Sequence, residues 1–170
     1  MNIPGKELNT NMMSWIKGDL LKSDCDFICH QVNCQGKMNS GIAKQIRKKW
    51  PIVYHSYLTK YNIVQTCPSS LLGDIQIVSL YDDFLAPEFR QYVINLFAQN
   101  NYGCDGKRYT SYDAFWNCLN LIKRHVPKGS RIGFPKGIGC GLGGANWEVI
   151  ETMIYEVLNN DFKVEIYEYS

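Results

Sequence analysis

Short apolar runs alternate with longer helical repeats along this chain of 170 residues. Phe27–Val32 is a continuous run of strand length, the pattern of a strand buried on both faces. Met13–Lys17, Ile75–Leu80, Gln91–Ala98 and Arg131–Pro135 predict further strands. Phe162, Val164 and Ile166 alternate with polar residues, which predicts that the chain ends on a half-exposed strand. Ser40 caps a predicted helix that runs to Trp50, where Pro51 interrupts it, and a second helical piece continues to about Tyr61. Thr110 with Asp113 makes a capping-box-like start, after which Tyr112, Phe115, Leu119, Ile122 and Val126 share one side of a helix ending before Pro127. Trp147–Leu158 carries Ile150, Met153, Ile154 and Val157 on an inner face, and the polar stretch Gln99–Tyr109, with Gly103 and Gly106, reads as a loop. These elements predict a polar leader over residues 1–12 and one α/β domain over 13–170, a mixed sheet between helices.

Bulk properties narrow the classes. Apolar residues make up 45% and charged residues 20%, ordinary for a globular domain. A net charge of +2 does not by itself argue for nucleic-acid binding. No apolar run approaches membrane-spanning length, and the N-terminus lacks the apolar core of a signal peptide. The seven cysteines contain no CxxC pair and match no zinc spacing, so reduced thiols in a cytoplasmic setting are expected, with no metal site.

The chemistry concentrates in two loops. Gly137–Trp147 holds five glycines in eleven residues between a strand and a helix, where peptide N–H groups can approach a phosphate. The loop from His30 to Ala43 ends at a second helix start, with Ser40-Gly41 at its cap. Two such cradles facing each other suit a diphosphate. Neither is a P-loop or a dinucleotide fingerprint. Loops after Phe27–Val32, Gln91–Ala98 and Arg131–Pro135 are expected to meet at the carboxyl ends of the strands.

Taken in order, Lys17-Gly18-Asp19-Leu20, His30-x-x-Asn33, Gly41-Ile42-Ala43 and Ile138-Gly139-Cys140-Gly141-Leu142 with Trp147 resemble a macrodomain. The likeness spans about residues 13–169 and is to the branch of ADP-ribose 1″-phosphate phosphatases and the terminal ADP-ribose protein glycohydrolase, with bacterial and phage relatives. It implies a three-layer α/β/α fold that binds ADP-ribose or a phosphorylated derivative, with no cofactor. It implies that Asp19 and the Leu20 amide meet the adenine and Asn33 the distal ribose. Ser40, Gly41 and Ile42 would form one side of a diphosphate clamp, and Gly139, Cys140, Gly141, Leu142 and Gly143 the other. Gln35 would add to the ligand loop, and Gln99 to Tyr102 would lie near the distal end. The glycohydrolase aspartate falls at Gly143 and its lysine near Gln99, so that mechanism loses its pair. His30 and Asn33, kept from the phosphatase pattern, are the expected catalytic residues, His30 acting as general base or as nucleophile.

Three functions follow: a metal-independent phosphatase on ADP-ribose 1″-phosphate, a non-catalytic ADP-ribose reader, or a hydrolase removing ADP-ribose from protein or nucleic acid. The same residues have plainer readings. His30 can be a hydrogen-bonded core residue, Asp19 a turn cap, Cys34 and Cys140 small filler. Lys44, Arg47, Lys48 and Lys49 read as the wet face of a helix, and His55 and His125 as solvated surface. Tyr102 and Tyr109 could stack on a base or ribose, or seal the core edge.

Overall fold

In a computed structural model, residues 13–81, 84–86 and 88–170 are described; the leader expected at 1–12 lies outside them. The strands are β1 (Ser14–Lys17), β2 (Phe27–Asn33), β3 (Ile75–Ser79), β4 (Tyr92–Gln99), β5 (Arg131–Pro135) and β6 (Lys163–Glu168). The helices are α1 (Gly41–Lys49), α2 (Pro51–Ile63), α3 (Tyr112–His125) and α4 (Trp147–Leu158). The strands form one sheet in the order β1-β6-β5-β2-β4-β3. Every neighbouring pair is parallel except β3 with β4, so the sheet is mixed, as expected.

Two apolar layers cover the sheet. On one face Cys29, Ile94, Phe134 and Ile166 pack with Phe115 and Leu119 of α3 and Ile150 and Ile154 of α4. On the other, Ile28, Val32, Val93 and Phe97 pack with Ile46 of α1 and with Val53 and Tyr57 of α2. The result is the three-layer α/β/α arrangement, and β2 at its centre is buried nearly throughout. Among the described residues no helix is long and apolar enough to cross a membrane.

Two local expectations are corrected. The alternating strand at the chain end is β6, and it lies inside the sheet between β1 and β5. Lys163 is exposed as expected, but Glu165 is satisfied rather than solvated: its side chain is only 14% exposed and accepts from Arg131 at 2.8 Å and from the Tyr167 hydroxyl at 2.8 Å. Cys25 donates to the same carboxylate at 3.0 Å, and burial beside Glu165 pushes its thiol up to about 12. The second correction is the α3 cap. Ser111 holds that position, its oxygen accepting from the Ala114 N–H at 3.2 Å. Thr110 is drawn away because its hydroxyl donates to the Gly139 carbonyl at 2.8 Å, in the loop after β5.

Candidate functional site

The loops after β2, β4 and β5 converge at the carboxyl ends of their strands, as the strand pattern predicts, around a cavity of about 720 Å³. Asn33, Ser40, Gly41, Ile42, Gln99 and Tyr102 line it, and Gly139, Gly141, Leu142 and Gly143 face them. Ten residues expected from the sequence thus meet in one place.

One wall is an open helix end. Ser40 is the N-cap of α1, yet its side chain makes no capping bond. The first α1 amide with a partner is that of Lys44, which donates to the Ser40 carbonyl at 3.2 Å. The N–H groups of Gly41, Ile42 and Ala43 donate to no acceptor among the described residues. Unspent amides at a helix start, with the positive dipole end behind them, are an anion site.

The opposite wall is the glycine turn. Cys140 N–H to the Gly137 carbonyl (2.8 Å), Gly144 to Gly141 (3.1 Å) and Ala145 to Gly139 (2.9 Å) curl it tightly. The N–H groups of Gly141, Leu142 and Gly143 have no acceptor among the described residues. Two glycines are obligatory here. Gly139 has φ of +74°, and a Cβ on it would sit 2.7 Å from Gln31 Oε1. A Cβ on Gly143 would sit 2.5 Å from the Gly139 carbonyl oxygen and 2.5 Å from Thr110 Oγ1. Asn146 caps the following helix α4, its Oδ1 accepting from the Glu148 N–H at 2.8 Å, and the free amides of the turn itself face the cavity.

Asn33 organises the floor. Its Oδ1 accepts from the Gln35 N–H at 2.9 Å and lies 2.8 Å from the Tyr57 hydroxyl, while its Nδ2 donates to the Lys37 carbonyl at 2.8 Å. One amide hydrogen of Asn33 is left over. Gln35 does not line the cavity; its Nε2 reaches Asn100 at 3.2 Å and ties the β2–α1 loop to the loop after β4. Gln31, which the sequence reading passed over, does line the cavity. Its Nε2 donates to Gln99 Oε1 at 2.7 Å and to Thr110 at 2.8 Å, beneath the glycine turn. The run of residues buried on both faces of β2 carried no signal for it.

The structure does not bring His30 to the cavity. It lies on the α1/α2 side of the sheet and is fully buried. Its Nε2 is 2.5 Å from Asn95 Oδ1, Asn95 Nδ2 donates to Gln76 Oε1 at 3.1 Å, and Gln76 Nε2 donates to the Ser56 carbonyl at 2.9 Å. A backbone carbonyl can only accept, so the chain runs one way and assigns the proton to Nε2. Nδ1 is left without a partner among the described residues. Burial lowers His30 from its ordinary 6.5 to about 4, against the pull of the Asn95 bond, so the ring is neutral near pH 7.

Three other expected site residues also stand outside the cavity lining. Asp19 Oδ1 caps a short 3₁₀ turn, accepting from the Leu21 N–H at 2.9 Å. Leu20 is buried in the core on the α1/α2 side. Cys140 is half-buried, its thiol donating to the Ile138 carbonyl at 3.4 Å. Tyr102 presents an exposed ring at the cavity, whereas the Tyr109 hydroxyl turns back to Asp105 at 2.8 Å.

Among the described residues the lining contains no carboxylate and no imidazole. Its cations are Lys37 and Lys136, the latter 3.1 Å from Glu168. The site can hold an anion by amides, with little in it to activate water.

Comparison with known proteins agrees with this architecture. The 17.5 kDa protein of the tk-vs intergenic region of Enterobacteria phage T4 is 29% identical over 150 residues, covering 84% of this chain and 88% of its own length. The DNA ADP-ribosyl glycohydrolase of Mycobacterium bovis is 37% identical over 46 residues, which cover 27% of this chain and 13% of that protein. The structure of Thermosipho africanus DarTG in complex with ADP-ribose superimposes with a TM-score of 0.73 at 19% identity, over 93% of this chain and 41% of that one, a likeness of fold. The Macro domain pattern matches residues 29–154, from the middle of β2 into α4, and this chain belongs to the Macro domain family.

Proposed function

We propose that this macrodomain binds ADP-ribose, its diphosphate held between the start of α1 and the glycine turn. The observation that carries the reading is the pair of unspent amide sets, at residues 41–43 and 141–143, facing each other across one cavity. The remaining amide hydrogen of Asn33 would meet the distal ribose, and Asp19 is the residue proposed for the adenine. Calorimetry with ADP-ribose is expected to give a micromolar Kd without added metal. An absence of binding at millimolar ligand would overturn the reading. Cys104 supplies a second check, because it is exposed and lines the cavity, whereas Cys67 is exposed and does not. Saturating ADP-ribose is expected to slow alkylation of Cys104 about fivefold or more and to leave Cys67 unaffected. Equal slowing at both would place the ligand elsewhere.

Binding without turnover is the reading the geometry supports best. The finer proposal from the resemblance, a phosphatase on ADP-ribose 1″-phosphate, needs a group to activate water or attack phosphorus. His30 is sealed behind β2 with its proton engaged at Asn95. Incubation with that substrate is expected to release no phosphate above the protein-free rate. Steady release that disappears in His30→Ala would restore the phosphatase and require the packing over β2 to open. A second reading, hydrolysis of ADP-ribose from a macromolecule, is favoured by Lys37, an exposed cation on the cavity wall whose loop is clamped by Asn33. Loss of release from ADP-ribosylated DNA or protein in Lys37→Ala would establish it.

A further inference from the structure

We infer that a second, cationic cleft beside the nucleotide cavity receives the backbone phosphates of a nucleic acid strand. The inference rests on the ADP-ribose reading and names the class of conjugate presented to that site.

The net charge of +2 conceals a strong segregation. Residues 27–73 contain six lysine and arginine residues and no aspartate or glutamate, while the other 123 residues carry twelve cations against sixteen carboxylates. Two of the six cations are spent within the fold. Lys60 meets Asp74 at 2.6 Å, and Lys49 donates to the Leu21 carbonyl. Lys37 stands on the wall of the nucleotide cavity. The other three, Lys44, Arg47 and Lys48, line a second cleft of about 600 Å³ together with Met38, Asn39 and Pro51.

None of these three has a carboxylate within ion-pair distance among the described residues. Like charges three and four residues apart on a helix face repel one another. Here nothing in the acid-free stretch relieves them, so an external polyanion is the natural counter-charge. The arrangement is also partly set in advance. The Arg47 guanidinium lies 3.9 Å over the Tyr54 ring, and its Nη1 donates to Asn39 Oδ1 at 3.0 Å. Asn39 lines both cavities, so a strand lying in the cleft passes directly to the mouth of the nucleotide site.

The test uses the full chain and a fluorescein-labelled single-stranded DNA 12-mer, followed by anisotropy between 50 and 300 mM salt. The Lys44→Gln/Lys48→Gln double variant is expected to bind about 20-fold more weakly at 0.1 M salt, with the slope of log K against log salt shallower by about 1.4, two phosphate contacts at ~0.7 each. Its calorimetric affinity for ADP-ribose is expected to stay within twofold of the parent. An unchanged slope overturns the cleft, as does a poly-glutamate peptide that competes as well as an oligonucleotide of equal charge. If ADP-ribose binds while the 12-mer does not, the cleft alone falls. If the 12-mer responds as stated while ADP-ribose does not bind, the nucleotide reading falls and the cleft stands.

Discussion

Replacing Gly143 with alanine is expected to weaken ADP-ribose binding about 100-fold. The added Cβ would stand 2.5 Å from the Gly139 carbonyl oxygen and from Thr110 Oγ1, and the first of these is backbone. The turn must therefore open, and with it go the Tyr109 and Thr110 amides that donate to the Gly143 carbonyl at 2.9 and 3.0 Å. Forced overpacking of this kind costs about 2–3 kcal/mol, and each 1.4 kcal/mol of lost binding is about tenfold in Kd. The melting temperature should fall by roughly 4–10 °C for a domain of this size. Gly141→Ala is the control for stability, since nothing lies within 4 Å of a Cβ there and its φ is not positive. Parent-like ADP-ribose affinity in Gly143→Ala would mean that the glycine turn is not a ligand wall. The same crowding leaves no room at Gly143 for the aspartate that the resemblance to the glycohydrolase would place there.

Acidification is expected to destabilise the fold through His30. The ring titrates at about 4 when folded and near 6.5 when unfolded. Between those values the unfolded chain binds a proton that the folded chain refuses, so stability rises with pH in that window and is lost as pH falls through it. From pH 7 to pH 4.5 this one residue accounts for roughly 2 kcal/mol of lost stability. Urea unfolding at the two pH values should show that loss in the parent and a loss smaller by about this amount in His30→Gln. The variant will be weaker overall, since His30→Gln removes the ring that meets the Asn95 oxygen, so the comparison lies in the pH difference and not in absolute stability. An identical pH loss in both proteins would show that His30 titrates normally.

Most of the framework was readable from the chain because its elements carry clear periods and stops. Arg131–Pro135 and Trp147–Leu158 were read to the residue, the first bounded by polar flanks, the second by an apolar face at helical spacing. The two turns that line the cavity were marked in the sequence, one by its glycines and the other by a helix start at Ser40-Gly41. What sequence could not give was the facing of β2. Its run Phe-Ile-Cys-His-Gln-Val has no period of two, since both faces are buried, so nothing local says whether His30 or Gln31 looks toward the ligand. The structure puts Gln31 at the cavity and His30 among the residues under α1 and α2. Capping was the other blind spot. Thr110 and Ser111 are both cap-forming types, Ser slightly the better, and the approach of Gly139 from 29 positions away engages Thr110 elsewhere. The cations of the second cleft were read only as the wet face of a helix, because the balance of charge over the whole chain hides its uneven distribution.

The topology bears on biogenesis. Among the described residues β1 pairs with β6 alone, in register from Ser14 opposite Glu165 to Lys17 opposite Glu168. A ribosome releases the first of these roughly 150 residues before the second, so the earliest strand waits, unzipped, for the last. Translation can finish the middle of the sheet ahead of its border. Final closure waits until β6 has emerged, and a nascent chain stalled short of it would carry an unclaimed sticky ribbon.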